Sequence, residues 1–436
     1  MVHNRNETPE STNQQPDAAP LSRRSFLAGV SATAAGIAAA QPLLAHGQTR
    51  TTNTREIPDA TGATDAVTDE LAEVVVFDDE HQAGIRTAEQ AHCSLIGFNF
   101  RAGVDADDVR RLLTLWTEDA RRLTAGTAPL GDLEPEMAKA PAHLTITCGF
   151  GPGLFEVIGK PAQRPAWLEP LPAFERDELD DKWGQTDLVL QLCCDDQLTL
   201  AHAQRHMIRS AMSYVSPSWI QLGFLPQRGA REGGAPRNLF GLKDGTVNPN
   251  KDKEYNDIVW IDEGPDWLHG GTCLVLRRIA FKMFEWEKLD RASREQVFGR
   301  KLDSGAPLTG KKETDTPDYE ARDSYGLPVI DPTSHMARAT NPADKPNQKL
   351  RRRAYSYDLP PEPDSEDGAN SGLLFICFQQ DPREQFIPIQ QRLDTIDRLN
   401  QWVTHIGSAV YACPPGTDAQ GAKGRDTYWG QSLLEG

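Results

Sequence analysis

The sequence predicts an α+β protein of two related halves, each an antiparallel sheet with helices on one face. Three observations lead there. The chain has 436 residues, too many for one small core. Short apolar, β-rich runs are mixed with long amphipathic helical patterns, and the theme occurs twice. Between the second pair of strands, residues 303–371 show little apolar periodicity, which marks a functional insertion or an unstructured one.

The elements follow in order. Residues 72–77 (AEVVVF) and 93–100 (CSLIGFNF) read as strands. A helix spans about 105–124, where Val109, Leu112, Leu113, Trp116, Ala120 and Leu123 recur at helical spacing. Residues 143–150 and 187–194 are strands, 198–212 a helix and 218–225 a further strand. In the second half, 272–281 is a strand, 291–302 a helix, 372–379 a strand and 386–402 a helix. The halves are assigned to residues 71–235 and 236–436, with a Thr-, Asp- and Ala-rich linker over 46–70.

The first 45 residues carry a targeting pattern. Arg23 and Arg24 stand just before Phe26 and an Ala-rich apolar run that ends at Leu44. Adjacent arginines before a weakly hydrophobic stretch match a twin-arginine export signal, with cleavage near Ala45. A membrane anchor is the alternative, but Gly29, Gly36, Ser31 and Thr33 make the run a poor lipid-spanning helix. The reading is export through the twin-arginine translocase to the periplasm or the medium. Passengers of that route cross already folded, often with a cofactor loaded, which raises the expectation of a prosthetic group.

A net charge of −17 argues against nucleic acid as a partner, because phosphate backbones select basic surfaces. Seven cysteines are scattered, mostly within apolar runs, and no C-x-x-C pair occurs. Zinc, iron–sulfur and thioether-linked haem sites are therefore not expected, and the thiols read as small buried hydrophobes.

One stretch stands out: NLFGLKDGTVNPN, residues 238–250. Asp244-Gly245 is a strong turn signal by itself. The sharper reading is a carboxylate held rigidly beside a cofactor. In the irregular segment, His335 sits in SHMAR, and three arginines, Arg351 to Arg353, follow in KLRRRAYSYD. A lone histidine is more often a hydrogen-bonded residue than a ligand, and an arginine run is more often a solvated patch.

Taken together, EHQAGIRTAEQ (80–90), NLFGLKDGT (238–246), SHMAR (334–338), RRAYSYD (352–358) and GLLFICFQQD (372–381) occur in an order that resembles the dye-decolourising (DyP-type) haem peroxidase family. The likeness is to its exported, EfeB-like deferrochelatase/peroxidase branch, and it covers about residues 75–415. It implies two ferredoxin-like halves of the dimeric α+β barrel type and one non-covalent haem b in the second half. Family members are often symmetric oligomers, so a homo-oligomer is the default expectation.

By position, the resemblance makes His335 the proximal iron ligand and Asp244 the distal carboxylate, with Gly245 and Thr246 completing the cofactor loop. Arg352 is the distal arginine, with Arg353 the alternative because the run leaves the register open by one. Asp397 is the candidate to accept the other ring N–H of the histidine, with Asp394 the alternative. The relatives' proximal motif reads Ser-His-x-Arg, whereas residues 334–338 carry one residue more.

The chemistry explains the residue types. Neutral imidazole ligates iron and leaves one axial position for peroxide, and a carboxylate on its other nitrogen raises its donation. A distal carboxylate can move a proton between the peroxide oxygens, while a permanently charged arginine stabilises the charge developed as the O–O bond breaks. A carboxylate's ordinary pKa of about 3.9 predicts best turnover at acid pH. Tyr355 and Trp402 are candidate surface relays for electrons from a reducing substrate. The implied function is oxidation of dyes, phenols or other one-electron donors by hydrogen peroxide. The runner-up is a haem- or iron-handling component of an iron-uptake system with incidental peroxidase activity.

Overall fold

A computed structural model describes residues 71–230, 233–361 and 368–436. The twin-arginine segment and the 46–70 linker lie outside the described residues.

In the first half the chain runs β1 (His92–Phe100), α1 (Ala106–Thr124), β2 (Thr145–Phe150), β3 (Leu188–Cys194), α2 (Gln197–Ala211) and β4 (Val215–Phe224). The strands pair antiparallel in the order β4-β1-β3-β2. This is the βαββαβ arrangement of a ferredoxin-like sheet. α1 forms where the apolar spacing predicts, and its start is set by Asp105, whose carboxylate accepts from Asp108 N at 2.9 Å in a capping box. The stripe from Val109 to Leu123 is buried, and Trp116 Nε1 donates to Met207 O of α2 at 3.0 Å, locking the two helices together.

The second half repeats the order with interruptions. It contains α3 (Asp252–Ile258), β5 (Thr272–Phe281), α4 (Arg291–Phe298), α5 (His335–Ala339), β6 (Arg351–Arg352), β7 (Tyr355–Asp358), β8 (Ser371–Gln379), α6 (Phe386–Ile396) and β9 (Val403–Cys413). β6 and β7 both pair with β8, as two pieces of one broken strand, so the order is β9-β5-β8-β6/β7.

Edges of the two sheets then meet: Phe150 of β2 lies opposite Ala412 of β9, and Phe224 of β4 opposite Ser356 of β7. With β5 also paired to β8, the strands close into a barrel, which removes the exposed edges each sheet would otherwise present. Strand alternation sorts the side chains between two layers. Cys93, Leu95, Val189, Cys193, Leu274, Leu276, Ile376 and Tyr411 share the barrel interior, while Ile96, Phe98, Leu190, Leu192, Cys273 and Val275 join the core with the helices.

Several expectations need correction. Residues 72–77 form no strand: Val74 and Val76 are exposed, and the segment touches its neighbour through bonds such as His143 N to Glu73 O. The 291–302 helix stops at Phe298 because Gly299 adopts a left-handed conformation (φ 78°). The 386–402 helix stops at Ile396, where Asp397 turns the chain into a short 3-10 turn, Arg398–Gln401. β9 was not anticipated, although its eleven residues carry the joint between the halves. Tyr355 and Trp402 are buried, so neither is a surface relay.

Candidate active site

Asp244 sits on the loop between β4 and β5, and the chain chemistry of that loop determines where its carboxylate points. Asn238 Oδ1 accepts from Phe240 N at 3.1 Å and Leu242 N at 3.3 Å, an Asx-type turn that lets Phe240 stack on Phe281 with ring centroids 3.9 Å apart. Asp244 N then donates to Pro236 O at 2.8 Å. Gly245 follows at φ +110°, a region closed to most side chains, and its carbonyl accepts from Asn248 N. The turn is therefore real, and it also aims an acid.

Arg352 meets that acid: its Nη1 lies 2.7 Å from Asp244 Oδ1. The choice among the three arginines follows from strand periodicity, since neighbours in an extended chain point to opposite sides. Arg351 and Arg353 turn towards residues 80–90, where Arg351 pairs with Glu89 at 2.8 Å and Arg353 donates to Thr87 O at 2.6 Å and to Gln90. Arg353 is fully buried there, which removes it as the distal group. Arg352 alone of the three turns to Asp244. Its backbone is held from both sides by one side chain: Asn248 Nδ2 donates to Arg352 O at 2.7 Å, and Arg352 N donates to Asn248 Oδ1 at 3.0 Å.

Opposite in sequence but coupled in charge is His335, the first residue of α5. Its Nδ1 lies 2.6 Å from Asp397 Oδ2. Asp397 is buried and fixed in turn, accepting from Leu399 N at 2.9 Å through Oδ1. Arg398 latches the same two segments, donating from its backbone to Thr333 O and from its side chain to Asp331 at 2.7 Å. Gly299 makes room for this junction: a Cβ there would come within 2.8 Å of Ser334 Oγ. Burial alone would push the imidazole towards its neutral form, but the Asp397 carboxylate overrides this and holds the pKa above its usual value. Arg352 and Asp244 also act on the ring electrostatically, so the two sets of residues share one local field.

Asp394, the alternative partner, has other work. Its carboxylate accepts from Glu175 N at 2.7 Å and Arg176 N at 3.0 Å, tying α6 to the first half. Thr246 does not turn its hydroxyl to the cavity; it donates to Glu313 Oε1 at 2.9 Å.

Glu313 was not anticipated, and nothing in its local sequence points to it. It comes from the irregular 303–371 segment and grips both flanks of Asp244: Lys243 Nζ at 2.8 Å, Thr246 Oγ1, and Ala235 N at 3.1 Å. Burial would raise its pKa, but these donors together hold it below its usual value, so it remains an acceptor at neutral pH. Glu313→Ala is expected to slow the reaction with peroxide by about 10–10²-fold, the range in which misplacement of a reacting group by about 1 Å falls. Stopped-flow measurement against wild type at equal haem content checks this.

A cleft opens beside the Asp244–Arg352 pair and is lined by Glu89, Pro236, Asp244, Gly245, Arg352 and Leu373, among others. Residues 82–225 match the family model for the N-terminal part of Dyp-type peroxidases, and residues 235–418 match that for the C-terminal part. The chain belongs to the Dyp-type peroxidase family.

Its relatives agree. The dye-decolorizing peroxidase of Thermobifida fusca is 37% identical over 76% of this chain and 76% of its own. The deferrochelatase of Escherichia coli K12 is 35% identical over 82% of this chain and 86% of its own. Among solved structures, a DyP-type peroxidase from Cellulomonas bogoriensis superposes with a TM-score of 0.79 at 44% identity, covering 84% of this chain and 99% of that one. Ferric DtpA from Streptomyces lividans gives 0.79 at 36%, covering 85% and 99%. The protein is thus a haem peroxidase of this family, using peroxide and a reductant.

Proposed function

We propose that the chain holds one haem b between His335 and the Asp244–Arg352 pair and uses it to oxidise dyes, phenols or other one-electron donors. The observation that carries this is the state of His335. Its Nδ1 is committed to a buried carboxylate, its side chain is 33% exposed, and among the described residues no hydrogen bond engages Nε2. A histidine with one nitrogen fixed and the other open is a donor that would hold a haem iron. When bound, the haem would supply the two-electron redox chemistry that consumes peroxide.

The residues divide the remaining work. Asp397 keeps the His335 proton on Nδ1, which leaves Nε2 as the ligand and strengthens its donation. Asp244 takes a proton from the inner peroxide oxygen and delivers it to the outer one, directly or through a water. Arg352 presents a fixed positive charge to the oxygen that leaves as water, and it keeps the Asp244 carboxylate aimed. Asn248 fixes the backbone of Arg352, and Glu313 fixes the residues on either side of Asp244.

The similarity to a deferrochelatase supports a second reading, in which iron is removed from haem and passed to uptake components. Purified protein is incubated with haem under two assays: peroxide-dependent oxidation of an anthraquinone dye, and release of metal-free porphyrin followed by fluorescence. The peroxidase reading expects dye turnover that falls by about 10²-fold or more in Asp244→Asn, with no porphyrin formed. Porphyrin release that survives that substitution, with negligible dye turnover, would overturn it.

Export by the twin-arginine route belongs to the same proposal, supported by Arg23-Arg24 ahead of the 26–44 apolar run.

A further inference from the structure

The barrel interior holds a pair of thiols that the peroxidase chemistry does not use. All seven cysteines are buried and free. In the register of the described strands, Cys93 of β1 and Cys193 of β3 stand directly opposite each other, and no other two cysteines do. Both side chains point into the barrel interior, where they share one cluster with Leu95, Val189 and Tyr355.

The backbone fixes how close they come. Asp187 N donates to Phe98 O and Leu225 N to Ala91 O, so alternation along β1 turns the peptide groups of Cys93 towards β4. Those of Cys93 therefore do not bond β3, and Cys93–Cys193 is a non-hydrogen-bonded pair. Such pairs have Cα atoms about 4.5 Å apart, the closer of the two antiparallel spacings. A disulfide spans Cα separations of about 4.4–6.8 Å. The pair fits without moving either strand far.

Its surroundings favour reaction. The Arg353 guanidinium and the Tyr355 hydroxyl both face Cys193. Arg353 Nε and Tyr355 Oη are buried without a hydrogen-bond partner among the described residues. Burial alone would raise both thiol pKa values; Cys93 goes up with burial, while its thiol and Arg353 beside it draw Cys193 down. One sulfur is thus prepared as a nucleophile and the other as the proton holder.

We propose that Cys93 and Cys193 form a dithiol that hydrogen peroxide oxidises to a cross-strand disulfide joining β1 to β3. Cys193 Sγ attacks one peroxide oxygen, the O–O bond breaks, and one water leaves as the sulfur becomes a sulfenic acid. Cys93 Sγ then attacks that sulfur and displaces the hydroxyl as a second water. Two thiols lose two electrons and two protons, and one peroxide gains them. The oxidant is the substrate this family consumes, and the step needs no haem.

The test uses the purified protein with its haem, treated with an excess of hydrogen peroxide over haem and no reducing donor. It is then denatured in excess alkylating reagent for thiol counting, intact mass and peptide mapping. The expected result is a fall from seven to five alkylated thiols. A cross-linked peptide joining Cys93 to Cys193, reversed by dithiothreitol, should account for it, and in Cys93→Ser the cross-link should be absent. Seven thiols after peroxide, or losses spread over other cysteines without that peptide, would overturn the proposal. The wild-type map decides this even if the variant folds poorly.

Discussion

Arg352→Ala is expected to slow the reaction with peroxide by about 10²–10³-fold, or about 2.7–4 kcal/mol of transition-state stabilisation, while haem content stays near wild type. The residue makes a 2.7 Å ion pair with Asp244 and reaches the cleft, so its loss removes the positive charge and also frees the carboxylate to move. Arg352→Lys should recover part of the rate, because the charge is retained but the planar fork is not. The neighbouring Arg353→Ala is the informative contrast. That guanidinium is buried against Thr87 and Gln90, and its removal leaves the buried Gln90 Oε1 without its donor. Its effect should fall on unfolding midpoint rather than on the peroxide step at equal folded protein. Stopped-flow traces and urea titrations of the three variants separate these outcomes.

His335→Ala is expected to have the larger effect on haem itself. Removing the proposed protein donor to the iron should weaken retention by more than the roughly 10–100-fold that follows loss of a group orienting a ligand. The Soret band of the purified variant should be small or absent, and added imidazole, which fits the space the side chain vacates, should restore part of it. Asp397→Asn should fall within the smaller range, because the amide can still hold the ring through one hydrogen bond while losing the charge that raises its donation. The same loss should weaken haem-dependent thermal stabilisation, since a ligand protects the fold in proportion to its occupancy.

Much of this was legible in the sequence, and the reasons differ by element. α1 was read almost to the residue because its apolar stripe is long and Asp105 supplies a cap. β3 and β5 were read because buried strands show as short apolar runs. β9 was missed because His405, Gly407 and Ser408 break up its apolar pattern, and its place in the sheet depends on partners far away in sequence. The 72–77 run shows the reverse: three valines give it strand composition, yet two of them face solvent.

At the site, the types and approximate positions of the residues were readable, but the directions of their side chains were not. The three-arginine run left Arg353 open as the alternative to Arg352 until strand alternation placed Arg352 towards Asp244 and Arg353 into the barrel. Asp394 and Asp397 are separated by one turn's length of chain, and only the end of α6 between them decides which one meets His335. Asn248 and Glu313 act through backbone and loop contacts that a linear sequence does not display.

The most direct test of the account is the visible spectrum of purified protein before and within a second of adding one equivalent of hydrogen peroxide, for wild type beside Asp244→Asn. The account predicts a Soret band in both, an immediate spectral change in wild type, and a change slowed by about 10²-fold or more in the variant. A variant as fast as wild type would contradict the role of Asp244, and the absence of a Soret band in wild type after growth with added haem would contradict the site itself.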